Sequence, residues 1–215
     1  MLSLNRIFVT TFNPLTGLLG RLHLGKSKKT SFFLAFPLGL HYLCQFKPKC
    51  MKVEISEESF RKAAAEGMDA FLKVITDAYL EALGGELSGE GMALLNGWQH
   101  TLLGYRFFQE EVMDGGFCQL IQNGYGPYIF DNPFAKAMRL MGLHDFSKAV
   151  YKAKKIYDEN KRDLTRERTD EEFMAMYEQY PKFDDIEDWY LENEEEITKA
   201  IAYYVDEHLS QFLND

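Results

Sequence analysis

Carboxylates at helical spacing near the C-terminus are the side chains of this sequence whose arrangement suggests the most definite chemistry. With 100° per residue over 184–212, Asp184, Asp188, Glu192, Glu195 and Asp206 fall on one side of a helix. Ile186, Tyr190, Ile197, Ile201, Tyr204, His208 and Phe212 fall on the other, within roughly 80° of one another. Helix neighbours three or four apart stand about 5–6 Å from each other. That is comparable to the step between phosphates along a DNA strand, whose duplex carries one charge per roughly 1.7 Å of axis. Like charges so placed repel and cost stability. On spacing alone, a solvated face of an amphipathic helix explains the row. A row kept despite its cost would serve a basic partner.

A second set of reactive types lies at Arg106, Glu110 and Glu111, just before Asp114-Gly115-Gly116-Phe117. An arginine with two carboxylates lining a cleft could do acid–base work, and a double glycine opening a short helix can turn backbone N–H groups towards an anion. No P-loop lysine follows, and the spacing is not GxGxxG. Glu110, Glu111 and Asp114 would repel phosphate. A tight corner that needs glycine for close approach fits better.

Other catalytic patterns are missing from the sequence. There is no HExxH, paired ExxH, Ser-His-Asp signature or deaminase motif. Of the histidines, His100 sits beside Trp98, and His208 falls on the apolar side of the last helix; both read as helix residues packed against the core. Three cysteines occur, Cys44, Cys50 and Cys118, without a CxxC pair, so no zinc site is expected and a reducing, cytoplasmic setting is. Neither metal nor cofactor is expected.

The chain that must position these groups has 215 residues, 46% of them hydrophobic, enough for one folded domain. Its net charge of −9 is unevenly divided. Residues 1–50 carry seven basic groups (Arg6, Arg21, Lys26, Lys28, Lys29, Lys47, Lys49) and no acid. Of the 24 basic residues, 17 therefore remain in 51–215 with all 33 acids, a net of −16. Within that body the charge is −8 over 51–135, +5 over 136–168 and −13 over 169–215. Such a balance disfavours direct nucleic-acid binding, which needs a basic face. The exception is Lys148, Lys152, Lys154, Lys155, Lys161, Arg162, Arg166 and Arg168. These are expected to pair with the acidic C-terminal helix, within one chain or across a homodimer.

Residues 1–50 are expected to be a basic, poorly structured segment outside the domain. The apolar run 31–44 follows three lysines, as in an export signal. It is too short to span a bilayer, which takes about 20 residues, and no small-x-small cleavage site follows. Three origins fit: a start placed upstream of a true initiator at Met51, a degenerate export signal, or a transit peptide. The first is the simplest. No membrane association is expected.

From Ser56 onward the periodicity is helical. Phe60, Ala64, Met68, Phe71, Leu72, Ile75, Tyr79 and Leu83 repeat at threes and fours, with Gly67 as a bend and Gly84-Gly85 as the stop. Ser88 is expected to cap a second helix with the stripe Leu95, Trp98, Leu102, Tyr105, Phe108 and Val112, ending at Gly115-Gly116. A short helix over 117–122 follows, then one opened by Asn132-Pro133 and one over 144–160. Residues 161–168 read as a basic connector. Thr169 with Glu172 forms a capping box, and Pro181 separates that helix from the last, which starts at Asp184. No alternating β-branched run occurs. The expectation is an all-α, single compact domain of six or seven helices over 51–215.

The segment EVMDGGFCQLIQNGYG resembles the signature of a bacterial family of acidic helical proteins, formerly a domain of unknown function, named for a DNA-mimic protein. The signature is a Glu, then Asn/Asp-Gly-Gly-Phe, a Gln two residues on, and an Asn before a glycine turn; Gly115, Gly116, Phe117, Gln119 and Asn123 match it. AMRLMG and the late FDDIEDWYLENEEEITKAIAYYVDEH fit the same pattern, so the resemblance covers roughly residues 90–210. It implies an all-helical domain and, for the namesake, a negative surface that occupies the DNA-binding face of a transcription factor. The matched residues are expected to be architectural. Segment 136–168, at +5, departs from a uniformly DNA-like surface.

The resulting expectation is a non-enzymatic acidic domain. Asp184, Asp188, Glu192, Glu195 and Asp206 would bind a basic protein, with a transcription factor or other DNA-binding protein as the class the resemblance implies. The alternative is a small-molecule or hydrolytic pocket near Arg106, Glu110, Glu111 and the Gly115-Gly116 corner.

Overall fold

The computed structural model describes residues 50–85 and 88–214, and of the basic segment 1–50 only Cys50 lies within that range. The described residues form ten helices and no strand: α1 (Glu57–Glu66), α2 (Met68–Ala82), α3 (Gly89–Met92), α4 (Gly97–Gln122), α5 (Gly126–Phe130), α6 (Phe134–Leu140), α7 (His144–Leu164), α8 (Asp170–Gln179), α9 (Asp184–Glu207) and α10 (Leu209–Leu213). The all-α expectation holds. The count exceeds six or seven because α3, α5 and α10 are single turns of four or five residues and Gly67 divides the first helix. Gly67 stands at φ 137°, outside the helical region, so it separates α1 from α2 instead of bending one helix.

Helix α4 is the hub, packing against α2, α5, α6, α7, α9 and α10. Its expected stripe of Leu95, Trp98, Leu102, Tyr105, Phe108 and Val112 is buried. Phe108 lies at the centre of an aromatic cluster, with ring centroids 5.0 Å from Tyr190, 5.2 Å from Phe146, 5.7 Å from Phe117 and 5.8 Å from Phe134. Three of these rings come from other helices (α6, α7 and α9) and Phe117 from α4 beyond its glycine corner, so one side chain ties much of the sequence together.

Caps explain the boundaries. Asn96, not Ser88, opens α4: its Oδ1 accepts from the N–H groups of Trp98 and Gln99, and Gln99 Oε1 accepts from the Asn96 N–H in return. Ser88 caps only α3. The Thr169–Glu172 capping box on α8 is present as expected. Asn132 does not cap α6; its amide donates back to Tyr128 O at 3.1 Å, and Pro133 holds the cap position. The connector also begins later than the sequence suggested, because α7 runs on to Leu164.

The start of the described chain is stitched to its end. The Val53 N–H donates to Leu213 O and Asn214 Nδ2 donates to Cys50 O, while the Met51 N–H donates to Leu94 O just before α4. Gln99, fully buried, donates through Nε2 to both Met51 O and Phe212 O at 3.0 Å. Among the described residues, no helix is long and apolar enough to cross a membrane.

Candidate functional site

Helix α9 begins where Pro181 ends α8, with Asp184, Asp185 and Glu187 in its first turn, where carboxylates suit the positive end of the helix dipole. Its apolar side is built into the core: Ile186, Tyr190, Ile197, Ile201 and Val205 are buried. The opposite side faces out. Asp184, Asp188, Glu192, Glu195 and Asp206 are all exposed, and among the described residues no basic side chain holds any of the five.

The five are not one continuous row. Asp184, Asp188, Glu192 and Glu195 follow one another over three turns, about 16 Å of helix. Asp206 is separated from them by Lys199, which pairs with Glu196 at 3.3 Å, and by Ala202, which is buried against the domain. Asp185, Glu196 and Glu207 are further exposed carboxylates of the same helix. Leu191 and Tyr203 are about half exposed among them.

Two carboxylates of α9 turn inward, and both fall beside the apolar side of the helix, the signal that distinguishes them from the rest. Glu194 Oε1 accepts from Thr198 Oγ1 at 2.5 Å and from Gln109 Nε2 at 2.6 Å, while Tyr105 O–H meets Thr198 Oγ1 at 2.5 Å. Glu187 Oε1 accepts from the Phe117 N–H at 2.6 Å. Burial pushes the Glu187 carboxyl above its ordinary value; the Phe117 N–H opposes this, and Asp184 and Asp188 add to it.

The Gly115-Gly116 corner is therefore occupied by the protein itself. Backbone leaves the helical region at both glycines, with Gly116 at φ 68°, and Phe117 restarts the helix with its N–H on Glu187. A Cβ at Gly116 would lie 2.6 Å from Glu187 Cδ. Tyr177 O–H closes the other side by donating to Gly115 O at 3.0 Å. The residues matching the family signature act in the same corner: Gln119 Nε2 donates to Glu111 and Asp114, and Asn123 Nδ2 donates to Glu111.

Arg106, Glu110 and Glu111 do not converge. Arg106 binds Glu110 through Nε at 2.8 Å and Asp77 through Nη1 at 2.5 Å, beside a cleft of about 90 Å³. Burial pushes the Asp77 carboxyl up, but Lys73 and Arg106 hold it below its ordinary value. Glu111 is taken by Gln119 and Asn123. The acid–base set expected from spacing is thus split between two places.

His100 and His208 make structural contacts. His100 Nδ1 meets Tyr128 O–H at 3.0 Å, and burial lowers its pKa to about 4. His208 stacks on Tyr204 and reaches its carbonyl through Nδ1 at 2.8 Å. Cys118 is buried, which pushes its thiol up to about 12.

Nor do the basic residues of 148–168 neutralise α9. Lys148 pairs with Asp145, Lys154 with Asp158, Lys161 with Asp131, Arg166 with Asp163 and Glu172, and Arg168 with Asp163. Every carboxylate in these pairs lies outside α9, contrary to the pairing expected within one chain. Short sequence separation decides this: most of these partners are three to six residues apart, within reach on one helix or its connector.

A family model described as DMP19-like protein matches residues 93–208, a stretch that contains the corner, the basic helix and α9. The chain belongs to the DMP19-like family. It is also 30% identical over 144 residues to a protein of Neisseria meningitidis serogroup B named DNA mimic protein DMP19, an alignment covering 66% of this chain and 87% of that protein. The Phe117–Glu187 hydrogen bond joins the two segments that carry the DMP19-like signature, the corner and the start of the acidic helix.

Proposed function

We propose that the exposed carboxylates of α9, Asp184, Asp188, Glu192 and Glu195 with Asp206 beyond them, bind the basic surface of a DNA-binding protein in place of DNA. The observation that carries this reading is the row itself: four acids at one-turn spacing, facing solvent and left unneutralised by the eight basic residues of 148–168. Local ion pairs absorb much of the positive charge of that segment and leave the row exposed. The relative named as a DNA mimic supports extending mimicry to this chain. The proposed role is non-enzymatic, uses no cofactor, and belongs in the bacterial cytoplasm, where DNA-binding proteins work.

Binding of this kind is steered by charge and screened over about 10 Å at 0.1 M salt. Retention of host proteins on the immobilised chain, eluted by a salt gradient, tests it. Partners should be lost when the five acids are reversed to Lys. Identical retention by the reversed variant would sink the proposal.

A further inference from the structure

The surface of this acidic domain also contains a site of the opposite character. Between α7 and the start of α9 lies a groove of about 410 Å³, several times the cleft beside Arg106 and within the size range of small-molecule sites. Its floor is apolar: Ile186 is 8% exposed, and half-buried Trp189 contributes a ring. Three lysines line it, Lys148 and Lys152 from α7 and Lys182 from the turn before α9. Lys148 is held by Asp145 at 2.8 Å. Among the described residues, no carboxylate lies within ion-pair distance of Lys152 or Lys182, although Asp145 and Asp185 also line the groove.

We infer that this groove binds a small planar aromatic anion, its ring against Trp189 and its phosphate or carboxylate between Lys152 and Lys182. An aromatic face beside unneutralised ammonium groups matches both halves of such a molecule. A neutral aromatic would leave the lysines unused, and a bare inorganic anion would leave the tryptophan unused. The acidic row plays no part in this recognition, so the two sites stand or fall separately.

Trp189 is a built-in reporter, because Trp98, the chain's other tryptophan, is fully buried. Titrating the full chain with adenosine monophosphate should change tryptophan emission saturably, with half-saturation at or below about 1 mM. Adenosine and inorganic phosphate, each carrying half of the recognition, should bind at least about tenfold more weakly. The double variant Lys152→Glu, Lys182→Glu should weaken the nucleotide about tenfold or more by calorimetry, with unchanged melting because both side chains are exposed. Rising salt should weaken the nucleotide but not adenosine in the unaltered protein, a readout that needs no variant. Equal affinity for adenosine and its monophosphate would overturn the inference. So would the absence of any saturable response to either adenosine monophosphate or anilinonaphthalene sulfonate.

Discussion

Glu187 Oε1 accepts a hydrogen bond of 2.6 Å from the Phe117 N–H, across 70 residues of sequence. The carboxylate caps a helix restarted after Gly116, and Gly116 leaves room for it. One side chain of α9 is thereby spent on architecture while its neighbours Asp184 and Asp188 face solvent.

Gly116→Ala should therefore be costly. The new Cβ would sit at φ 68° and displace the Glu187 carboxylate. Backbone strain of about 1–3 kcal/mol and loss of a cap worth about 1 kcal/mol act together. Urea unfolding should report a loss of about 2 kcal/mol or more.

Glu187→Gln separates the hydrogen bond from the charge. The amide oxygen can still accept from Phe117, while the burial penalty on an ionised group disappears. Because the folded-state pKa is raised, the contribution of Glu187 is fully present below the ordinary value of 4.5 and is lost as pH rises through the raised one. The Gln variant should gain stability relative to wild type over that rise. Parallel melting curves across the window would contradict this.

Much of this architecture was legible in sequence, and the exceptions have physical causes. The apolar stripe of α4 and the buried side of α9 follow from a period of 3.6, which burial enforces. The double glycine announced a corner, but nothing local revealed that Glu187 would fill it, since the partners are distant in sequence. Arg106, Glu110 and Glu111 looked like a set because they are close in sequence; adjacent helix positions point apart, and Glu111 went to Asn123 instead. The basic helix misled in the same way: charge sums over a segment do not say which pairs form, and local ones did.

Asp163 fastens the connector after α7. It accepts from Tyr180 O–H, from Arg168 Nη2 at 2.7 Å and from Arg166 Nε at 3.1 Å, and the Tyr180 hydroxyl with these arginines lowers its pKa to about 2. The stabilisation is present above the ordinary value of 3.8 and is lost as pH falls towards 2. Its side chain is 48% exposed, so solvent screens the effect. Asp163→Asn should cost about 1 kcal/mol at neutral pH and flatten acid unfolding below pH 4 in circular dichroism.

Neutralising the exposed row should stabilise the fold. Asp188→Asn, Glu192→Gln and Glu195→Gln remove like-charge neighbours three and four apart, each worth a few tenths of a kcal/mol. Asp184, in the first turn, is favoured by the helix dipole and should give no such gain. A raised melting temperature in the triple variant, largest at low salt, checks this.

The most direct measurement is competition with DNA. Host proteins retained on the immobilised chain at low salt are challenged with duplex DNA, in parallel on wild type and on the variant with Asp184, Asp188, Glu192, Glu195 and Asp206 reversed to Lys. Mimicry predicts a protein that wild type holds, that DNA releases, and that the variant does not bind. A partner that stays bound in excess DNA, or that binds both proteins equally, would contradict it.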